Sequence, residues 1–240
     1  QIAVFRTAWC DGEAAVAHDE RGHAMVDAGR ERVVPRGLAV VVGVDVHEAG
    51  RDQQARRVDG PGRVALDHAA AILRNQGINN ALINIGGNVM ALGKKGDQPW
   101  RIGIQHPRMP APLATLPLYD GEAVGTSGDY QRYFELDGER YAHLLDPRTG
   151  QPARGTASAV VLHPDPLLAD VAASALFVAG PSGFADLARK LGLGCALMVT
   201  DENELLVTAA MKARVTLARD PVPLGAPLDL GPSCRATPAR

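Results

Sequence analysis

Residues 141–150 read Tyr-Ala-His-Leu-Leu-Asp-Pro-Arg-Thr-Gly and concentrate polar side chains where a predicted strand ends. The imidazole of His143 can donate, accept or take up a proton, and Asp146 precedes a proline that cannot continue a strand ladder. A turn that holds a histidine, a carboxylate, an arginine and a hydroxyl is a stronger site candidate than a lone histidine. The alternative is a structural β-turn beside a half-buried histidine.

Asp170 and Ser174 lie four residues apart in a predicted helix, so their carboxylate and hydroxyl share one face. Both side chains offer oxygen, which hard cations such as Mg²⁺ prefer. The neighbouring residues are apolar, and an unpaired carboxylate among them would be costly, so a cation is expected nearby. The alternative is that Asp170 stabilises the first turn of the helix through the helix dipole and that Ser174 is incidental.

Two glycine-containing segments predict turns that could present backbone N–H groups to a phosphate. The first, Gly86-Gly87-Asn88, follows a predicted strand, and paired glycines let a backbone approach a ligand closely. The second, Thr126-Ser127-Gly128-Asp129-Tyr130, adds two hydroxyls and a carboxylate between two predicted strands. Each also fits a structural hairpin turn or bulge. Neither has the spacing of a dinucleotide-binding fingerprint or a P-loop.

The elements that must position these residues can be predicted from apolar periodicity and glycine punctuation. Helices are predicted over 63–76, closed by Gly77, and over 167–178 and 183–191, with a loop over 105–117. Strands are predicted over 2–5, 38–46, 80–85, 100–104, 122–126, 130–136, 141–145, 156–162, 195–200 and 205–209. Hairpin turns are predicted at Asp137-Gly138 and at 201–204. Strands in meanders with helices grouped between them predict an α+β fold, with mixed and antiparallel sheets and helices packed between them.

The composition is that of a globular chain. Its 240 residues suffice for one large domain or two small ones, and the formal charge of −2 offers no positive field, which argues against nucleic acid as a partner. No apolar run is predicted to reach the roughly 18–20 residues of a membrane span. The three cysteines, at positions 10, 195 and 234, lack metal-ligand spacing, so neither a zinc site nor a disulfide scaffold is predicted.

In order along the chain, these segments resemble the ApbE family of FAD:protein FMN transferases, formerly described as thiamine-biosynthesis lipoproteins. The resemblance covers residues 62–194 and rests on a series of motifs rather than on one. The matching residues are Asp67, Gly86-Gly87-Asn88, Pro99-Trp100, Pro107, Thr126 through Tyr130, Tyr141, His143, Asp146, Pro147, Thr149, Gly150, Pro152, Ala169, Asp170 and Ser174.

The resemblance implies a Mg²⁺-dependent enzyme that splits the pyrophosphate of FAD, joins FMN to a Ser or Thr hydroxyl of an acceptor flavoprotein and releases AMP. Asp170 and Ser174 would be metal ligands, with backbone carbonyls from the loop before Asp67 completing the shell. His143 and Asp146 would be catalytic, and the sequence leaves open which of them is the general base. The residues implied to bind FAD are Gly86, Gly87, Asn88, Thr126, Ser127, Gly128, Asp129, His143, Leu144 and Thr149. The alternative is a non-catalytic flavin-binding relative.

The departures from the family pattern predict a divergent or N-terminally shortened member. Residues 1–60 match no family motif and are taken as a divergent β-rich segment, followed by a core over 61–220 and a flexible tail over 221–240. Residues 58–63 keep only the glycine-rich character of the family's run, and Ser174 replaces the usual threonine. Family members are commonly exported lipoproteins, which implies a periplasmic or inner-membrane location. This sequence shows no signal peptide, and membrane contact is expected only through the acceptor or a missing lipid anchor.

Overall fold

The computed structural model describes residues 40–44, 61–218, 227–231 and 234, with residues 40–44 and 61–64 described by their backbone alone. The strands are β1 (Val40–Val44), β2 (Ala81–Ile85), β3 (Asn88–Leu92), β4 (Trp100–Gln105), β5 (Pro112–Leu118), β6 (Ala123–Gly128), β7 (Tyr133–Leu136), β8 (Glu139–Ala142), β9 (Thr156–His163), β10 (Ala196–Thr200), β11 (Leu205–Val207) and β12 (Thr216–Leu217). The helices are α1 (Pro61–Asn75), α2 (Pro166–Lys190) and α3 (Ala209–Arg214).

A seven-stranded sheet, ordered β1-β2-β3-β6-β9-β10-β11, forms the centre of the fold. β1 runs parallel to β2, with α1 between them in the chain, and the other neighbours in this sheet are antiparallel. Smaller sheets, β12-β5-β4 and β7-β8, complete the architecture. The prediction of an α+β fold with mixed and antiparallel sheets is confirmed. The predicted strand at 2–5 lies outside the described residues.

The two faces of the central sheet are covered by different layers. On one face, α1 packs on β2 and β3, and α2 packs on β6, β9 and β10. On the other face, the small β12-β5-β4 sheet packs through buried residues such as Leu116 and Trp100. β9 is buried along its whole length because layers cover both of its faces.

Three strands, β3, β5 and the short β12, occupy segments where the sequence predicted none. β3 follows the Gly86-Gly87 turn directly and pairs with β2 in a hairpin. β5 fills much of the predicted loop over 105–117, despite its prolines. β12 pairs only with Ala114 and Thr115, so Pro112 and Pro117 lie beyond the reach of that neighbour, where a missing N–H is tolerated.

The Thr126–Gly128 part of the predicted phosphate-binding turn is not a turn. These three residues form the end of β6, a strand paired with β9 inside the central sheet. The predicted strand over 141–145 also ends earlier, at Ala142, where β8 stops. By contrast, the predicted turn at Asp137-Gly138 is confirmed, with φ of 53° and 80° at its two residues.

The two predicted helices over 167–178 and 183–191 are confirmed as one helical run, α2, that breaks at Gly180, where φ is 71° and ψ is −179°. Pro181 follows the break, where its missing N–H is tolerated. The N-cap of α2 is Asp165, whose carboxylate accepts from the Leu167 N–H at 2.9 Å. α2 is also long and apolar enough to qualify as a membrane span by length and composition, although no such run was predicted.

The cysteines and the C-terminal segment depart from expectation. Cys195 and Cys234 form a disulfide, although no disulfide scaffold was predicted, and Cys10 lies outside the described residues. Residues 221–240 were expected to form a flexible tail, yet the described part contacts the core. The Leu228 N–H donates to the Val207 carbonyl at 2.8 Å.

Gly125 allows α2 to approach the central sheet very closely. A Cβ at this position would overlap the backbone carbonyl of Ala169 and crowd the amide nitrogen of Asp170. Strand β6 therefore touches the backbone of the helix, without an intervening layer of side chains, at the turn that carries Asp170.

We expect Gly125→Ala to destabilise the fold by about 3 kcal/mol, because rigid backbone atoms would have to move to admit the new methyl group. The matched control is Gly103→Ala in β4, where a Cβ would meet nothing within 4 Å, and this variant should stay within about 1 kcal/mol of wild type. Urea unfolding of the three proteins measures both changes. Equal stabilities for the two variants would show that the helix does not rest on Gly125.

Candidate functional site

One face of α2 carries the predicted metal ligands. Asp170 and Ser174 are one turn apart, both half-buried, and Ser174 Oγ lies 2.8 Å from Ser127 Oγ on β6. Successive side chains on a strand point to opposite faces, so Ser127 faces α2 whereas Thr126 faces the small sheet. The structure therefore joins Ser127 with Ser174 and separates it from Thr126, its neighbour in the predicted site.

Asn88 lies on the same face of the sheet as Ser127. It begins β3, one position beyond the pairing of Val89 with Val124, which places it beside Gly125. Its Oδ1 atom is buried and makes no hydrogen bond within the part of the chain that the structure describes. A buried amide oxygen without a donor is costly, and a bound ligand would satisfy it.

These oxygens suit a hard cation. Asp170 supplies a carboxylate that no described side chain pairs with, Ser174 supplies a hydroxyl, and the orphaned Asn88 oxygen lies on the same side of the sheet. Mg²⁺ commonly takes one or two protein oxygens and completes its shell with water and phosphate. Among the described residues no cluster of three or more His, Cys, Asp or Glu side chains could hold a metal alone. The donor set therefore fits a cation shared with a phosphate.

The family resemblance implied metal-binding backbone carbonyls in a loop before Asp67, but the described part of that stretch is helical. From Pro61 onward this stretch is helix α1 rather than a loop, and carbonyls inside a helix are committed to backbone hydrogen bonds. Any loop carbonyl would have to come from before Pro61, outside the described residues. Asp67 itself lies exposed within α1.

His143 follows β8, and its ring orientation is fixed by one carbonyl. Nδ1 lies 3.0 Å from the Arg132 carbonyl oxygen, and the His143 N–H donates to the same oxygen at 3.3 Å. Because a carbonyl can only accept, Nδ1 must carry the proton. In the neutral ring Nε2 is then a free base on an exposed side chain.

Asp146, the other predicted catalytic residue, is committed to an ion pair. Arg148 donates to its carboxylate from Nη2 at 2.7 Å and from Nε at 2.8 Å, and the Arg148 N–H adds a third contact at 2.9 Å. These hydrogen bonds from Arg148 hold the pKa of Asp146 below its ordinary value. A carboxylate so stabilised in its charged form is a poor proton acceptor. The geometry therefore favours His143 over Asp146 as the base.

The loop that carries His143 is fastened to α2. Arg148 Nη2 donates to the Val178 carbonyl at 3.4 Å, and Val178 lies one turn beyond Ser174 on the same helix face. The break at Gly180 ends the regular helix there and leaves carbonyls for other donors. Leu144 also packs against a buried apolar cluster that includes Leu176 and Phe177 of α2. Helix α2 thus positions both the oxygen cluster (Asp170 and Ser174 with Ser127 and Asn88) and the histidine loop, residues 143–150.

Several predicted FAD-binding groups are used by the protein itself. Gly86 and Gly87, with φ of 61° and 95°, form the two-residue β2-β3 turn, and the Gly87 N–H donates to Asn84 Oδ1 at 3.0 Å. Thr149 Oγ1 accepts from the Gln151 N–H at 3.2 Å and closes its own turn. These bonds explain the local folding of both segments without a phosphate.

Asp129 is buried and forms a bidentate ion pair with Arg108, from the loop between β4 and β5, at 2.6 and 2.7 Å. Its own N–H donates to the Ala157 carbonyl at 3.1 Å. Gly128 lies beneath the ring of Tyr130, whose phenol pKa is raised by burial. The Asp-Tyr end of the motif therefore joins the small sheet to the central one and is not brought together with Ser127.

Three positions that shape this region were not predicted from the sequence. Arg108 and His106 come from a segment predicted to be a loop. Gly125 lies in a predicted strand, and nothing in its sequence context indicated the close contact with α2. The His106 Nδ1 accepts from the Arg108 N–H at 3.1 Å, and burial, aided by the Arg108 charge, lowers the pKa of His106. Two cavities, of about 200 and 260 Å³, adjoin Arg108 rather than Asp170.

Comparison with known proteins points to one family. A family model described as "ApbE family" matches residues 62–198. A Rhodobacter capsulatus protein named FAD:protein FMN transferase is 42% identical over 151 residues, which are 63% of this chain and 29% of that protein. The Escherichia coli (strain K12) protein of the same name is 36% identical over 148 residues, or 60% of this chain and 42% of that protein.

Solved structures give the same result. The ApbE protein from Thermotoga maritima has a TM-score of 0.56 at 37% identity, covering 63% of this chain and 50% of that one. The Pseudomonas stutzeri flavinyl transferase ApbE, apo form, has a TM-score of 0.55 at 37% identity, covering 64% and 49%. The chain thus spans half or less of the length of each of these relatives.

We expect Arg108→Ala to destabilise the protein by roughly 3–5 kcal/mol, because it leaves the buried Asp129 carboxylate without its partner. The control is Arg189→Ala, whose pair with Asp186 is 54% and 91% exposed and should cost less than about 1 kcal/mol. Adding Asp129→Asn to Arg108→Ala should recover part of the loss. Chemical unfolding measures all three, and equal losses from the two arginine variants would contradict the structural role of Arg108.

Proposed function

This chain belongs to the ApbE family, and from that premise we propose that it transfers FMN from FAD to a Ser or Thr hydroxyl of an acceptor flavoprotein, releasing AMP. The relatives named FAD:protein FMN transferase support the reaction class. One observation in the structure carries the proposal: a single face of α2 presents Asp170 and Ser174 and, one turn later, anchors the loop of His143.

Asp170 and Ser174 would hold Mg²⁺, with the Asn88 oxygen directed to the same region. The cation would offset the negative charge of the FAD pyrophosphate and of the phosphate that leaves with AMP. Asp170 contributes the fixed negative charge, and α2 keeps both ligands in register because they lie on successive turns of one helix. Close contact at Gly125 holds that helix against β6.

His143 would act as the general base. Its Nε2 takes the proton of the acceptor hydroxyl while the hydroxyl oxygen forms a bond to the FMN phosphorus. The bond between that phosphorus and the bridging oxygen breaks, and AMP leaves with this oxygen. The Arg132 carbonyl holds the Nδ1–H tautomer throughout, so Nε2 stays available. Asp146 and Arg148 position the loop.

The direct test incubates the chain with FAD, Mg²⁺ and a domain that carries an Asp-x-x-Ser/Thr-Gly-Ala-Ser/Thr acceptor segment. Mass spectrometry should detect covalent FMN on the acceptor and AMP in solution, and EDTA should abolish both. A family enzyme of full length serves as the positive control on the same acceptor. Bound FAD without any adduct, with the control active, would favour the alternative of a non-catalytic flavin-binding relative.

We expect Asp170→Ala and His143→Ala each to lower the transfer rate at least 100-fold with little change in stability, because Asp170 would hold the cation, His143 would take the acceptor proton, and neither belongs to the buried core. The residual activities of the two variants should depend differently on Mg²⁺ concentration. Residual activity of Asp170→Ala should lose its dependence on Mg²⁺ concentration, whereas that of His143→Ala should keep it. Wild-type turnover in His143→Ala would assign that histidine a structural role.

We also propose an oxidising compartment, periplasmic or at the inner membrane, as the site of action. The Cys195–Cys234 disulfide supports this, since such bonds persist mainly outside the reducing cytosol. Protein isolated from its native cells in the presence of a thiol-alkylating reagent should carry no label on Cys195 or Cys234. Reduction should destabilise the fold by roughly 2–4 kcal/mol, as expected for a loop of this size. Complete labelling of both cysteines would contradict this location.

A further inference from the structure

Ser127 and Ser174 form a hydroxyl pair between β6 and α2. Their oxygens lie 2.8 Å apart, and Ser127 is only 9% exposed. Ser174 is the residue one turn from Asp170, whereas Ser127 comes from the adjacent strand and is brought there by the close contact at Gly125. Strand and helix therefore meet at a polar contact inside an apolar layer.

A hydroxyl that ligates a cation through a lone pair keeps its proton and must direct its O–H away from the cation. Ser174 has one O–H donor and two lone pairs, and binding a cation uses a lone pair and makes the O–H a stronger donor. Ser127 Oγ, 2.8 Å away, can accept a hydrogen bond from that O–H. With the O–H directed at β6, the lone pairs of Ser174 turn away from the strand and become available to a cation.

We propose that Ser127 is a positioning residue for the metal site: its Oγ accepts a hydrogen bond from the Ser174 hydroxyl and so orients Ser174 as a ligand. This inference rests on the cation site of the proposed function and assigns Ser127 a role through Ser174 rather than direct contact with FAD. Hydrogen-bond partners behind metal ligands are typically worth 10–100-fold in metal affinity, and a neutral hydroxyl pair lies at the lower end of that range.

The experiment measures Mn²⁺ binding to the whole chain by the electron paramagnetic resonance signal of free Mn²⁺, because Mn²⁺ takes the same oxygen ligands as Mg²⁺. Ser127→Ala should weaken Mn²⁺ affinity about tenfold with an unchanged melting temperature. Ser182→Ala, an exposed serine in the second part of α2, is the matched control and should bind as wild type does. No nucleotide or acceptor is needed, so transfer activity does not enter the measurement.

A double-mutant cycle decides how Ser127 acts. If it acts through Ser174, adding Ser127→Ala to Ser174→Ala should weaken Mn²⁺ binding no further than Ser174→Ala alone. Additive losses, or wild-type affinity in Ser127→Ala beside a weakened Ser174→Ala, would overturn this inference and leave the cation site standing. Wild-type protein that binds no Mn²⁺ would overturn the cation site itself, together with the role of Ser127.

Discussion

The backbone contact between α2 and β6 at Gly125 is the constraint on which the candidate site depends. Because this residue has no Cβ, the helix backbone at Ala169 rests directly on the strand. A helix held by a layer of side chains would lie farther from the sheet, and Ser174 could not reach Ser127 at 2.8 Å. The contact therefore sets which oxygens of the strand and helix share a site.

The break in α2 at Gly180 lets the same helix also bind the loop that carries His143. Within its first segment, one face runs from Asp170 through Ser174 to Val178, at successive turns. The break exposes carbonyls at the end of that segment, and Arg148 binds one of them. The loop of His143 is thus held relative to Asp170 and Ser174 by one helix, and a fixed relative position of this kind is what the proposed transfer would need.

Several polar side chains of the family motifs are already hydrogen-bonded to other residues of the chain, and those without such partners are the candidates for binding a ligand. Asp129, Asp146 and Thr149 all lie in motifs associated with the family, yet each is engaged by a neighbour within the chain. Asp170 and the Asn88 oxygen, by contrast, have no such partner among the described residues. A buried polar atom without a partner is costly, so the Asn88 oxygen, on the sheet face against which the Asp170 turn packs, supports the cation site proposed above.

The sequence by itself determined what depends on neighbours along the chain. Helical spacing placed Asp170 and Ser174 on one face, and glycine punctuation predicted the C-terminal end of α1 and the turn at Asp137-Gly138. The ordered motifs identified the family. Only the tertiary structure decided that Ser127 is a strand residue facing a helix 47 positions away, that Arg108 neutralises Asp129, and that β5 is a strand despite its prolines. These outcomes depend on pairings between distant segments, and the free energy of such contacts leaves no periodic trace in either segment alone.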